Sequence, residues 1–277
     1  MAMNRYDFKL TDTPDENGFE PYMTAYILEK NLNDGDGRPA IVICPGGGYE
    51  CVCEVWEGER YAMAYLAAGF NAIVVNYTTM GGGVYPRQLR EVGRAIELTR
   101  QHAEEWQINP TKIAVCGSSA GGHLAASIST LWNCESVFTP EQIASRIMRP
   151  DAAVLCYPVI TSGDKAHKGS FKALLGTDDE QKPLWDFLSL EKRVNADTPP
   201  TFLWHCVDDD VVPVENSMYY AMTLRKYGIP FEMHLYPSGG HGRQLGTENI
   251  LRSRPVLKRD YRWHTLSVDW LAETFQL

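Results

Sequence analysis

The segment Gly117–Gly121 has the residue types and the spacing that a nucleophilic serine requires. It places Ser119 at the centre of a G-x-S-x-G pattern, between an apolar run and a helical stretch. This context predicts a tight strand-to-helix turn with strained backbone angles at the serine. The two glycines would crowd each other in that turn, so that neither position tolerates a Cβ. The serine oxygen would stand at a helix N-terminus, where free N–H groups favour negative charge.

A serine hydroxyl attacks only when a base removes its proton, and the base needs a carboxylate to hold its tautomer. Among the seven histidines, His241 lies in a glycine-rich loop after the last predicted strand, from which its ring could reach back to the serine. We interpret His123, on the helix after the motif, as a packing or hydrogen-bonding residue, and Ser118 as structural. A structural serine in a glycine-rich turn is the alternative to the catalytic interpretation.

The carboxylate is predicted to come from the sequence Val-Asp-Asp-Asp-Val-Val-Pro, which follows the apolar run Thr201–Cys206. Three consecutive acids, from Asp208 to Asp210, make the choice ambiguous, and an exposed acidic loop is the alternative for each. The position before Val-Val-Pro favours Asp209, with Asp208 second. The chain order serine, acid, histidine is the one that accompanies a G-x-S-x-G turn of this kind.

Hydrolysis through an acyl-enzyme also needs N–H donors that face the tetrahedral oxyanion, and the loss of one donor costs about 10²–10³ in rate. We expect one donor at Ala120, directly after the serine. Another should come from the loop Cys44–Tyr49, where Gly47 and Gly48 can turn their N–H groups into a site. A flexible glycine turn is the alternative. The continuations that define phosphate-binding and dinucleotide-binding loops do not follow these glycines.

Short apolar, β-branched runs alternate with stretches of helical spacing, which predicts βαβ units. The expected fold class is α/β, with a mostly parallel central sheet and helices on both faces, in a single domain of residues 1–277. About 37 N-terminal residues should add edge strands, and the polar segment 161–200 should form a short cap. The predicted strands are Ala40–Cys44, Asn71–Asn76, Ile113–Cys116, Ala152–Tyr157, Thr201–Cys206 and Phe231–Tyr236, and the predicted helices are Gly58–Ala68, Leu89–Trp106, Ala120–Leu131, Asn216–Tyr227 and Tyr261–Phe275.

The composition is that of a globular protein, with 277 residues of which 44% are hydrophobic, 22% charged and 11% aromatic. These fractions exclude a disordered chain, and no apolar run approaches the ~20 residues that a bilayer span needs. With 26 basic and 35 acidic residues, the formal net charge is −9. Because nucleic acids and anionic membranes bind basic surfaces, we expect neither as a partner.

The seven cysteines cannot all pair within one chain, because their number is odd. No spacing resembles a zinc site, so no metal site is expected. The first ten residues lack the apolar segment of a signal peptide, and free thiols without an export signal predict a cytoplasmic location. Four cysteines end short apolar runs, where cysteine serves as a small buried hydrophobic residue: Cys44, Cys116, Cys156 and Cys206.

Five stretches, in this order, resemble small bacterial esterases of the α/β-hydrolase superfamily, a group that includes acetylxylan esterase-like and feruloyl esterase-like (BD-FAE-like) enzymes. The resemblance implies an α/β-hydrolase fold and a catalytic triad of Ser119, Asp209 and His241, and so favours Asp209 over its neighbours. It also implies hydrolysis of acyl esters on plant cell-wall sugars. The stretches are Pro45–Tyr49 (PGGGY), Gly117–Ala125 (GSSAGGHLA), Ser170–Gly176 (SFKALLG), Pro199–Ser217 (PPTFLWHCVDDDVVPVENS) and Gly239–Gly242 (GGHG).

Two positions depart from that group. Pro45 begins the first stretch, where many relatives in the broader lipase group have histidine. Glu91 stands where we expect aspartate, and we interpret it as structural. Aromatic side chains suit the faces of sugar rings, with packing beneath the cap as the alternative. On this ground the candidate substrate contacts are Tyr49, Trp56, His167, Trp185 and Phe187.

The sequence therefore predicts a serine esterase for small acyl esters, with acetyl groups on plant cell-wall-derived oligosaccharides as the expected substrates. The chemistry requires neither a metal nor an organic cofactor. The expected partner is the small-molecule ester itself, and self-association is left open. A prolyl-oligopeptidase-like serine peptidase is one alternative, although the chain has no room for the propeller that such peptidases usually carry. A general short-chain carboxylesterase or lipase is the other, although the segment 161–200 is too polar for a broad apolar cap.

Overall fold

The strands form one eight-stranded sheet within the residues that the computed structural model describes, which are 2–30, 35–79, 85–246 and 262–277. In spatial order the strands are β1 (Met3–Lys9), β2 (Tyr22–Leu28), β4 (Asn71–Asn76), β3 (Arg38–Cys44), β5 (Ile108–Ser118), β6 (Ala152–Cys156), β7 (Thr201–Cys206) and β8 (Phe231–Tyr236). The pairs β1–β2 and β2–β4 are antiparallel, and the other pairs are parallel. The carboxyl ends of β3 to β8 therefore meet at one edge of the sheet.

Helices cover both faces of this sheet. They are α1 (Arg60–Ala67), α2 (Arg87–Gln101), α3 (Ser119–Leu131), α4 (Pro140–Ser145), α5 (Lys168–Leu175), α6 (Pro183–Phe187), α7 (Glu215–Tyr227) and α8 (Trp263–Phe275), with a π-helical segment at Glu54–Glu59 and a 3₁₀ turn at Leu190–Lys192. Alternate residues of a strand point to opposite faces. In β3, Ile41 and Ile43 pack with α1 and α8, whereas Ala40 and Val42 pack with α2, α3 and α7. Both faces are buried, which explains the continuous apolar runs of the central strands.

The predicted strands and helices are present, and the N-terminal residues add two edge strands as expected. Two boundaries differ most: β5 begins at Ile108 rather than Ile113, and α2 ends at Gln101 rather than Trp106. The polar residues 109–112 carry no apolar signal, yet Ile108 pairs with Arg38 across an irregular register. Tyr261, the first residue of the last predicted helix, lies outside the described residues. Across the described ranges, no helix has both the length and the apolar character that a membrane crossing needs.

The segment 161–200 contains α5, α6 and the 3₁₀ turn. Its side chains Phe171, Leu174 and Trp185 belong to the same hydrophobic cluster as α2 and α3. The rings of Phe171 and Trp185 stack with their centroids 5.2 Å apart. The carbonyl oxygen of Leu188 accepts a hydrogen bond of 3.0 Å from Nε2 of His123 in α3. The expected cap therefore packs directly on the helix that begins at Ser119.

Candidate active site

The turn between β5 and α3 raises Ser119 at the carboxyl edge of the sheet. Ser119 has a φ of +53°, in the left-handed region that costs a residue with a side chain roughly 1–3 kcal/mol. A Cβ added to Gly117 would lie 2.1 Å from the carbonyl oxygen of Gly121, and a Cβ on Gly121 would lie 2.1 Å from that of Cys44. The predicted crowding of the two glycines is confirmed. The contact of Gly121 with Cys44 shows that the turn also packs against the end of β3.

Three side chains from three separate loops form one hydrogen-bonded row beside this turn. His241 Nε2 lies 2.9 Å from Ser119 Oγ, and His241 Nδ1 lies 2.7 Å from Asp209 Oδ2. Asp209 follows β7 and His241 follows β8. With Nδ1 protonated and donating to the carboxylate, Nε2 is left to accept a proton from the serine. The structure thus brings together the serine, histidine and aspartate that the sequence singled out.

The three consecutive aspartates have different surroundings. Asp209 is buried, and its Oδ1 accepts hydrogen bonds from the backbone N–H groups of Val211 (3.0 Å) and Val212 (2.9 Å). Asp208 Oδ1 accepts a hydrogen bond of 2.8 Å from the N–H of Gly240, in the loop that carries His241. Asp210 is exposed. Only Asp209 faces the histidine, whereas Asp208 fixes the histidine loop from outside.

A second histidine contacts the same carboxylate. Nε2 of the fully buried His205 lies 3.2 Å from Asp209 Oδ2 and 2.9 Å from the carbonyl oxygen of Val212. Both neighbours accept, so Nε2 carries the proton and Nδ1 accepts from the hydroxyl of Ser217 (2.8 Å). Burial alone would raise the pKa of Asp209, but hydrogen bonds from His205 and His241 outweigh it and hold the pKa well below its ordinary value. Asp209 is therefore ionised at neutral pH.

The loop after β3 reaches the nucleophile through Gly46. A Cβ on Gly46 would lie 3.1 Å from Ser119 Cβ and 2.8 Å from the carbonyl oxygen of Ser118. The next two residues, Gly47 and Gly48, have φ values of +131° and +67°, which favour glycine. A side chain on Gly47 would also collide with the Cys51 carbonyl at 2.1 Å. The predicted oxyanion loop therefore lies against the serine turn, with Gly46 as the residue in contact.

A model of the BD-FAE family matches residues 27–224. The chain belongs to the BD-FAE family. A solved structure of an acetyl ester-xyloside bifunctional hydrolase from Caldicellulosiruptor lactoaceticus is 35% identical, with a TM-score of 0.82 over 98% of this chain and 96% of that one. Endo-1,4-beta-xylanase B of Butyrivibrio fibrisolvens is 39% identical over 84% of this chain, and acetylxylan esterase of Xylanibacter ruminicola is 33% identical over 83%.

This member of the BD-FAE family spans only part of those two curated relatives, 36% of the xylanase and 48% of the esterase. The family resemblance that the sequence motifs indicated is confirmed. The α/β-hydrolase fold is confirmed as well, by the sheet order and by the solved structures. The predicted class of carboxylic ester hydrolase agrees with the names of the relatives.

Two of the predicted substrate contacts are buried. Tyr49 is 1% exposed, and its hydroxyl lies 2.9 Å from Nδ1 of His123. Trp185 is 2% exposed and stacks on Phe171 within the segment 161–200. Neither aromatic ring presents a face to a ligand in this structure. For these two residues the packing alternative describes the arrangement, because each ring belongs to the hydrophobic core cluster.

Of the other three predicted contacts, Trp56 and His167 are accessible and Phe187 is half-buried. Trp56 is 45% exposed, and the guanidinium of Arg60 lies 4.2 Å from its ring centroid. His167 caps α5, where Nδ1 accepts from the N–H of Ser170 (3.3 Å). Burial lowers the pKa of His167, and the charge of His241 lowers it further. His167 therefore lies close enough to His241 for the two side chains to interact electrostatically.

His123 joins α3 to the two loops around it. Because Nε2 donates to the carbonyl oxygen of Leu188 (3.0 Å), Nδ1 accepts from the hydroxyl of Tyr49 (2.9 Å). The predicted packing and hydrogen-bonding role of His123 is confirmed by these contacts. The side chain is 1% exposed, and burial lowers its pKa to about 4. His123 is therefore neutral in the folded protein above that pH.

Acid should destabilise the fold through His123. Its pKa is about 4 in the folded protein and 6.5 as the ordinary value, so the unfolded chain takes up a proton first. Stability is lost as the pH falls from about 6.5 toward 4, and the loss reaches about 2 kcal/mol by pH 5. His123→Gln should reduce the difference in the free energy of unfolding between pH 7 and pH 5 by that amount, as measured by urea unfolding at the two pH values. An unchanged difference between the two pH values would refute this origin.

Proposed function

We propose that the chain is a serine carboxylic ester hydrolase that removes small acyl groups, above all acetyl, from hydroxyls of plant cell-wall-derived oligosaccharides. The observation that carries the proposal is the row of Ser119, His241 and Asp209, with 2.9 Å and 2.7 Å between consecutive partners. The names of relatives, an acetylxylan esterase and an acetyl ester-xyloside hydrolase, support an acetylated sugar as the substrate.

The first half-reaction transfers the acyl group to the enzyme. His241 Nε2 takes the proton of Ser119 Oγ while that oxygen bonds to the ester carbonyl carbon. The carbonyl electron pair moves onto oxygen, which accepts hydrogen bonds from the N–H of Ala120 and of Gly47 or Gly48. The bond between carbon and the sugar oxygen then breaks. The proton held by His241 passes to that oxygen, and the sugar leaves as an alcohol.

The second half-reaction returns the serine. Water occupies the place of the sugar, and His241 Nε2 takes one of its protons while the water oxygen bonds to the acyl carbon. The second tetrahedral intermediate uses the same N–H donors. It collapses by breaking the bond to Ser119 Oγ, which regains the proton from His241, and acetate leaves. In both halves the ionised Asp209 stabilises the cationic histidine.

A polar cavity lies beside His241, between the aspartate loop and the histidine loop. The cavity has a volume of about 420 Å³. Its lining includes the charged side chains of Asp208, Asp210 and Arg243 together with glycine backbone. Charged side chains and backbone amides offer hydrogen bonds to sugar hydroxyls, whereas a long acyl chain would require an apolar wall. Ser119 does not line this cavity, so the choice of the sugar ester over the lipase alternative rests on the names of the relatives.

The test is a substrate panel combined with covalent labelling. We expect hydrolysis of p-nitrophenyl acetate and acetylated xylo-oligosaccharides, a sharp decline with longer acyl chains, and no cleavage of peptide amides. Phenylmethylsulfonyl fluoride should stop the reaction and, by mass spectrometry, modify Ser119. Cleavage of amides without cleavage of esters would show that the protein is a serine peptidase rather than an esterase. Full ester hydrolysis after complete labelling of Ser119 would exclude Ser119 as the nucleophile.

A further inference from the structure

The buried carboxylate of Glu57 has no place in the mechanism above, although it lies beside the serine turn. Glu57 belongs to the π-helical segment Glu54–Glu59 and is 5% exposed. Its Oε2 accepts a hydrogen bond of 2.8 Å from the N–H of Gly46, and its Oε1 accepts one of 2.7 Å from the hydroxyl of Tyr157. Burying a carboxylate costs stability unless such partners compensate. Retaining it here suggests a task that an apolar side chain could not perform.

The contact with Gly46 orients the loop of residues 45–48, here called the glycine loop. A Cβ on Gly46 would lie 2.6 Å from Glu57 Oε2 and 3.1 Å from Ser119 Cβ. The backbone of Gly46 is therefore held between the carboxylate and the nucleophile. The hydrogen bond from the Gly46 N–H to Glu57 fixes the orientation of that peptide plane. The orientation of the next two peptide groups, at Gly47 and Gly48, depends on it.

The contact with Tyr157 extends the arrangement behind the histidine. Tyr157 follows β6, and its ring lies edge-on to the ring of His241, with centroids 5.1 Å apart. Its hydroxyl also lies 3.3 Å from that of Tyr61, which accepts from Ser118 Oγ at 3.3 Å. One buried network thus joins the glycine loop, the end of β6 and the residue before the nucleophile.

The protonation of Glu57 reflects the same position. Burial raises its pKa, while the hydrogen bonds from Tyr157 and Gly46 and the charge of His241 lower it in part. A neutral amide of the same shape can replace both contacts. Its oxygen would accept from Gly46, and its NH₂ would donate to the oxygen of Tyr157, whose own proton can turn to Tyr61.

We propose that Glu57 is a positioning residue that holds the glycine loop against the serine turn, so that its N–H groups meet the oxyanion. This inference rests on the proposed esterase function. Glu57 acts through the length of its side chain rather than through its charge. Glu57→Gln keeps the reach and removes the charge, whereas Glu57→Asp keeps the charge and is one methylene too short to span Gly46 and Tyr157.

The experiment measures kcat and KM on p-nitrophenyl acetate for Glu57→Asp and Glu57→Gln. Glu57→Asp should lose about 10²-fold in kcat, the effect of one misplaced oxyanion donor. KM should change less than about threefold, because the oxyanion exists only in the transition state. Glu57→Gln should stay within about tenfold of wild type. The reverse order of the two variants would show that charge matters, and equal activity of both with wild type would show that the contact is only structural. Either result overturns the proposal.

Glu91 provides the matched control. It is 2% exposed, and it accepts hydrogen bonds from the backbone N–H of Thr78 (2.7 Å) and from the Thr78 hydroxyl (2.6 Å). Glu91→Asp should destabilise the fold without lowering kcat per folded molecule. Circular dichroism and urea unfolding give the folded fraction by which the measured rate is divided. If Glu57→Asp does not fold, folded Glu57→Gln decides alone, and a 10²-fold loss there overturns the proposal.

A second readout separates this inference from the proposed function. The rate at which phenylmethylsulfonyl fluoride modifies Ser119 depends on the same donors, because a sulfonyl oxygen occupies the oxyanion position. Slower labelling of Glu57→Asp, with Glu57→Gln near wild type, supports the positioning role even if no acetyl ester is hydrolysed. Failure of wild type on every ester would refute the function alone, whereas equal labelling rates in all variants would refute the positioning role.

Discussion

Replacing Ser119 by alanine should lower kcat on a small acetyl ester by about 10⁶-fold. The acyl-enzyme cannot form without Oγ, and only binding and oxyanion stabilisation of direct water attack are left. The fold should persist, because Oγ contributes a hydrogen bond to His241 (2.9 Å) and no core packing. Initial rates and urea unfolding curves, measured on the same preparations, test both parts of this expectation.

Ser118→Ala is the control, since it removes the neighbouring hydroxyl. Ser118 Oγ donates a long hydrogen bond of 3.3 Å to Tyr61, and Ser118→Ala should therefore retain activity within about tenfold of wild type. If Ser118→Ala loses as much activity as Ser119→Ala, the G-x-S-x-G assignment is wrong. If Ser119→Ala retains more than a hundredth of the wild-type rate, an acyl-serine intermediate is excluded.

Replacing Asp209 by asparagine should lower kcat by about 10⁴-fold with little change in structure. Because Oδ1 accepts from two backbone N–H groups at Val211 and Val212, the amide oxygen would take that place. The NH₂ group would then point at Nδ1 of His241 and could only donate. The histidine would have to carry its proton on Nε2 instead, and Nε2 could no longer accept the proton of Ser119.

The adjacent aspartates make an isosteric control series. Asp208→Asn keeps an oxygen for the N–H of Gly240, and Asp210 is exposed. We expect Asp208→Asn and Asp210→Asn to stay within about fivefold of wild-type kcat, since neither carboxylate faces the histidine ring. Steady-state kinetics of the three variants locate the acid of the triad. A loss of 10⁴-fold in Asp208→Asn with an active Asp209→Asn would contradict the assignment.

The fold and the central row were predictable because both depend on local sequence signals. An apolar run that ends at a glycine-rich turn specifies where a buried strand stops, and parallel strands place all such stops at one edge. Gly117 and Gly121 are required by contacts within the turn itself, at 2.1 Å from the neighbouring carbonyl oxygens. Ser119, Asp209 and His241 follow three of these strand ends, so that their proximity follows from topology.

The partners of the supporting residues were not predictable, because they are distant in sequence. Glu57 meets Tyr157 across a separation of 100 residues, and His123 meets Leu188 across 65. No local pattern separates a glutamate in a helical turn that faces the core from one that faces solvent. His205 did carry a signal, four residues before Asp209 in a fully buried strand. A polar residue in such a strand requires a partner, and the three acids Asp208–Asp210 that follow the strand were the candidates.

The aromatic candidates show the limit of a composition argument. The suitability of a ring for a sugar says nothing about its exposure, which depends on how the segment 161–200 packs. Trp185 faces Phe171 in the core, and Tyr49 is enclosed by Tyr77 and His123, whereas Trp56 stands in solvent. The spacing of these residues in the sequence does not distinguish a buried ring from an exposed one.

The shared cluster of the segment 161–200 and α3 determines how an ester gains access. Lifting this segment would expose Phe171, Leu174 and Trp185 to water, at about 25 cal/mol for each Å² of apolar surface. We therefore expect the segment to unfold with the catalytic core rather than to move away from it as a separate lid. The rate should then follow the concentration of dissolved ester, without the rise in activity at an oil–water interface that a hinged lid produces.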